Sequence, residues 1–160
     1  MNKISDAVIK TTGNKAAEYF GNGFHCAEAV ATAVLEAMGG NASEASAHAT
    51  AFGGGFGGTH EEACGALSGG LIAIGHLYGR REPGGDWDLP RELGKELRQR
   101  FINSFETTHC ATLCERFGEE SQMDECRKLV RVVVKALLKV LAENPDQWSV
   151  NENLCSSAKT

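Results

Sequence analysis

Apolar positions recur every three or four residues along nearly the whole chain, the spacing of helices rather than strands. Ile4, Ala7, Val8, Ala16, Tyr19 and Phe20 predict one or two helical pieces, interrupted near Gly13-Asn14 and ended at Gly21-Asn22-Gly23. An alanine-rich helix is expected from about His25 to Met38, closed by Gly39-Gly40. Ser43 is placed to cap a short third helix through about Phe52. After a glycine run, Thr59-His60-Glu61-Glu62 has the form of a capping box, with Thr59 as N-cap and Glu62 at the third helical position. The helix it predicts carries Cys64 through Tyr78, with Cys64 about a turn and a half inside.

Residues 80–88 form a polar loop, and Asp88 or Leu89-Pro90 opens a fifth helix to about Phe105. Leu93, Leu97, Phe101 and Phe105 recur four apart on its apolar face. A helical turn over Cys110–Phe117 ends at Gly118, and Ser121 or Asp124 starts a long last helix to about Glu143, stopped by Asn144-Pro145. No alternating stretch is long enough for a strand. The expectation is an all-α, single-domain bundle over residues 1–143 with a glycine-rich interhelical loop, followed by a polar tail over 144–160.

Length, composition and charge then narrow the classes. With 160 residues the chain suits one domain, and its 42% hydrophobic and 23% charged residues are ordinary for a globular protein. The net charge of −5 and the lack of a basic patch argue against a nucleic-acid partner. No secretory pattern opens the chain, and the most apolar stretch, 129–142, carries Arg131, Lys135 and Lys139. A membrane partner is therefore not expected, and the cytoplasm is the expected compartment.

Six cysteines stand out against that background: Cys26, Cys64, Cys110, Cys114, Cys126 and Cys155. In a reducing compartment such a set points to metal binding or redox chemistry more than to structural disulfides. Cys26, Cys64, Cys110 and Cys126 fall near predicted helix starts, where free N–H groups and the macrodipole favour thiolate. Cys110 and Cys114, four apart, share one helix face, with Cβ atoms about 5–6 Å apart. That is wider than the roughly 3.5–4.5 Å a disulfide needs, so a metal or cluster bridging the pair fits better. His25 and His109 precede cysteines and His60 lies four before Cys64, each positioned to ligate a metal or tune a thiol. The bland alternative for each is a capping or loop residue; His48 and His76 read as structural. No Cys-x-x-Cys-His exists for covalent haem.

The run 52–70, FGGGFGGTHEEACGALSGG, fits neither phosphate-binding glycine pattern, because no Gly-Lys-Ser/Thr follows it and no strand precedes it. Its first half reads as a bent, bare approach to a helix. Its second half, with Gly65, Ala66, Gly69, Gly70 and Ala73, makes a small face that lets another helix lie unusually close, from this chain or from a second subunit. A homodimer is thus among the expectations.

Together, Gly23–Val30, the run Phe52–Gly58, Cys64–Gly69, Cys110–Leu113 and Cys126 with Leu129-Val130 resemble the C_GCAxxG_C_C family of redox-active proteins. Departures are Ala63, a permuted set of small residues around Cys64, and the extra Cys114; Leu113 three after Cys110 favours Cys110 as the third family cysteine. The family is similar to the N-terminal part of split-Soret cytochromes, which are dimeric and associated with haem and iron–sulfur centres. Without a haem motif only the iron–sulfur part carries over. The resemblance implies redox activity through Cys26, Cys64, Cys110 and Cys126. The leading expectation is a small redox protein or electron carrier that serves an unidentified redox partner protein. Its iron–sulfur cluster would be held by cysteines among Cys26, Cys64, Cys110, Cys114 and Cys126. The alternatives are a metal-free dithiol/disulfide protein and a non-catalytic metal-binding helical protein. No triad or paired carboxylates point to a hydrolase.

Overall fold

The computed structural model describes residues 4–144, and the predicted tail beyond, with Cys155, lies outside them. Seven α-helices follow one another: α1 (Asp6–Gly21), α2 (Cys26–Met38), α3 (Ala42–Ala49), α4 (Gly65–Tyr78), α5 (Asp88–Phe105), α6 (Cys110–Phe117) and α7 (Gln122–Glu143). A 3-10 turn over Thr50–Phe52 extends α3, whose N-cap is Asn41 rather than Ser43. Among the described residues there is no strand, only an isolated bridge between Ala63 and His109. The all-α, single-domain expectation holds.

Helix α2 is mostly apolar and sits at the centre; Ala27 through Leu35 are all buried, Glu28 and Thr32 among them. Around it pack α1, α3, α4 and α7, with α5 closing over α4 and α7. Leu93, Leu97 and Phe101 carry the buried face of α5, and Leu129, Val130, Val133, Val134, Leu137, Leu138, Val140 and Leu141 that of α7. Burying a side chain of this size stabilises by about 1.5–3 kcal/mol, so these aliphatic faces dominate the fold's energetics.

Two glycine readings change. Helix α1 runs unbroken through Gly13-Asn14, because Gly13 is an approach point rather than a break. A Cβ there would sit 3.2 Å from Arg131 and Lys135 side-chain carbons on α7. The small face of α4 is covered within the chain: Gly69 lies against the Ala27 backbone of α2, and Gly70 against Leu97 of α5. A Cβ at Gly69 would come within 2.9 Å of Ala27 Cα, which accounts for this glycine without a second subunit.

Candidate functional site

The cysteines arrive at one place because helices begin there. Cys26 is the first residue of α2, behind the N-cap His25, whose N–H donates to the Glu28 carboxylate at 2.8 Å. Cys110 is the first residue of α6, and Cys126 lies just over one turn into α7. Cys64 is a correction to the capping reading: it is the N-cap of α4, and residues 59–63 are not helical.

The physical reason is non-local. The Cys64 N–H donates to the Thr108 carbonyl at 2.7 Å, Cys110 N–H to Glu62 O at 2.9 Å, and Ala111 N–H to His60 O at 2.8 Å. These bonds satisfy the backbone that a helical turn would otherwise use. Thr59 instead donates its hydroxyl to Gly55 O at 2.8 Å and accepts from Glu61 N–H at 3.2 Å, a local turn. His109 locks the junction: its Nε2 faces the Glu61 carbonyl at 2.9 Å. A carbonyl only accepts, so Nε2 carries a proton towards it, and Nδ1 lies 3.0 Å from the Thr112 hydroxyl. His109 is therefore a strap holding segment 60–64 against α6, and Cys64 beside Cys110.

All five cysteines of the described residues line one cavity of about 360 Å³. Cys64 and Cys110 are buried, and Cys26, Cys114 and Cys126 are partly so. Cys110 and Cys114 stand sulfur to sulfur at 4.0 Å, and the Cys114 side chain also reaches the Cys126 thiol. His25 and His60 also line the cavity, while Phe20, Phe24, Leu113, Phe117 and Leu129 supply apolar wall. Phe24, Leu113 and Leu129 fall inside the stretches that carry the family resemblance, whereas Phe20 and Phe117 read from the sequence only as helix positions. The signal that finds them is position: each lies within a turn or so of a cysteine or a glycine break.

The glycine run takes its shape from this cavity. A Cβ on Gly55 would fall 2.6 Å from Cys110 Cβ, and one on Gly65 would collide with Cys26 Sγ and the Phe52 carbonyl. Gly55 also has φ 63°, in the left-handed region where glycine is preferred. His60 and Phe56 adopt that region as non-glycines, at φ 62° and 68°, a local strain typical of functional loops.

Burial reverses one expectation, that helix starts leave these sulfurs as thiolates. Desolvation raises the Cys26 pKa, although backbone N–H groups of Gly54, Ala27 and Gly65 pull it the other way. Cys64 is raised further, by burial first and then by the neighbouring Cys26, and the N–H groups of Ala66 and Leu67 only partly offset this. Burial and the Cys114 sulfur push both Cys110 and Cys126 up to about 12. Without a compensating cation these four sulfurs are neutral thiols near pH 7. Among the described residues, no three His, Cys, Asp or Glu side chains gather tightly enough to hold a single metal ion.

Residues 24–140 match the family model described as "Putative redox-active protein (C_GCAxxG_C_C)". The chain belongs to this family. No curated protein and no solved structure matches it significantly. Cys26, Cys64, Cys110 and Cys126, the cysteines that the sequence resemblance singles out, stand on four different elements and meet in the cavity, with Cys114 as a fifth sulfur. Among the described residues no helix is long and apolar enough to cross a membrane.

Proposed function

We propose that the cavity holds an iron–sulfur cluster and that the protein passes electrons between it and a redox partner protein in the cytoplasm. The observation that carries the reading is the delivery of five sulfurs, from four separate elements, into one cavity of about 360 Å³. That volume is many times the share of one water molecule and far beyond a single ion. Ligands of one ion must converge on a point, which these side chains do not do. Ligands of a polynuclear cluster bind different metal atoms and stand wider apart, so the donor set fits a cluster better than an ion. Cys26, Cys64, Cys110 and Cys126 are the ligands in this reading, with Cys114 the alternative to Cys110. Such a cluster, when bound, supplies one-electron chemistry.

The chain's own part is electrostatic and steric. Backbone N–H groups of Gly54, Ala27 and Gly65 donate towards the Cys26 sulfur, and hydrogen bonds to ligand sulfur tune reduction potential. The aromatic and leucine walls restrict water, and ligation by metal replaces the protons that burial keeps on these thiols. Anaerobic purification followed by iron, sulfide and visible-absorption measurement tests the proposal. Brown protein with iron and sulfide in similar amounts is expected. Colourless, iron-free protein that stays so after reconstitution overturns it.

One observation favours a second reading, a metal-free dithiol: the 4.0 Å contact between Cys110 and Cys114. Closing it into a disulfide would send two electrons and two protons to an oxidised partner protein. The first turn of a short helix can loosen to allow the closer approach. Against it stands the burial that keeps Cys110 protonated, since thiolate is the attacking species. Reversible loss of two thiols under mild oxidant, absent in Cys114→Ser, is the result that would favour this reading.

A further inference from the structure

At the other end of α4 from the cysteines, two histidines that no part of the redox reading uses face each other. His48 lies in the last turn of α3 and His76 in the last turn of α4. Their Nδ1 and Nε2 atoms are 2.9 Å apart, with ring centroids at 5.0 Å and planes tilted by 37°. His48 is exposed and His76 half-buried, so the pair is open to solvent. One ring must donate and the other accept for this contact, which leaves a single proton between two good ligand atoms.

From this geometry we infer that His48 and His76 form a two-imidazole surface site for a zinc-class divalent cation. Two nitrogens each 2.0–2.1 Å from a tetrahedral ion lie roughly 3.4 Å apart, so the pair needs to open by only about 0.5 Å. Exchange of the bridging proton for the ion supplies that opening. Glu44 lies four residues before His48 on α3, hence on the same face. Its carboxylate acts on His76 through the field, so its negative charge favours a cation at the pair, and water completes the shell. The imidazole pair selects zinc, nickel or copper over magnesium or calcium, which prefer oxygen. Arg81 is the opposing charge: its guanidinium donates to the His76 carbonyl at 2.8 Å, holding it to the backbone side of that residue. The site shares no residue with the cysteine cavity and stands whether or not a cluster binds there.

Zinc titration of the reduced full chain, followed by the histidine ring signals in nitrogen-15 NMR spectra, tests the site residue by residue. Zinc captured by cysteines is thereby told apart, because it leaves the His48 and His76 rings unmoved. Expected is a saturable joint shift of those two rings, lost in His48→Ala and in His76→Ala, with weaker binding in Glu44→Gln. Rings that do not move at excess zinc, or a His76 shift that survives in His48→Ala, overturn the site. Unchanged zinc affinity in Glu44→Gln overturns the part given to the Glu44 charge.

Discussion

The two halves of α7 show two ways of using a buried surface. From Val133 to Leu141 its inner face is aliphatic and closed, with Leu137, Leu138 and Val140 fully buried against the other helices. One turn further back, Cys126 and Leu129 border a cavity, Met123 is exposed, and the neighbouring loop holds non-glycines in left-handed conformation. The closed half maximises contact at native packing density. The open half gives up contact and conformational ease to bring sulfurs together. Stability and chemistry are thus divided along single helices, and substitutions in the two halves separate them.

The largest effect falls on the closed half. Leu137→Ala or Leu138→Ala is expected to cost about 2–5 kcal/mol in denaturant unfolding, while the folded fraction keeps its cofactor content. A small cost at either position breaks the division. Next comes the α4–α2 crossing beside the cysteines: Gly69→Ala forces a Cβ into the Ala27 backbone, with an expected cost of about 1–3 kcal/mol. Gly57→Ala, where a Cβ meets open space, carries only the left-handed penalty, roughly 1–2 kcal/mol. Equal costs at the two glycines would remove close approach as the reason for Gly69.

On the open side, Cys26→Ser and Cys64→Ser are expected to abolish bound iron with a smaller change in metal-free stability than the leucine variants. Retained iron in both would place the ligands elsewhere. The smallest effect is a pH dependence of the reduced, metal-free protein. Folding raises the Cys110 and Cys126 pKa values to about 12, chiefly through burial, so the unfolded chain ionises first. The stability from keeping these thiols neutral is whole below the ordinary thiol pKa of about 8.5 and is lost as pH rises towards about 12. The denaturation midpoint should therefore fall across that window, and fall less in Cys126→Ala.

Much of this division was legible from local pattern. Apolar periodicity and Gly39, Gly118 and Asn144 located the helices, since these signals act within a few residues. Apart from the α3 cap, where Asn41 takes the place expected for Ser43, the misreadings were non-local. The Thr59–Glu62 box is a sound cap in isolation, but its backbone is claimed by residues 108–111, which lie almost fifty positions away. Gly13 resembles a helix break until α7 is seen beside it. The glycine run announced close approach, yet only the fold shows that Gly65 makes room for Cys26 and Gly55 for Cys110. Helix-start position suggested thiolates, because burial cannot be read from capping. The His48–His76 contact joins residues 28 apart and left no motif.

The central claim, that one cavity gathers the cysteines around a polynuclear redox centre, is tested most directly by iron X-ray absorption on reconstituted protein. The account predicts a first shell of sulfur alone and a second shell of iron neighbours, both lost in Cys64→Ser. A first shell of oxygen or nitrogen with no iron neighbour would contradict it.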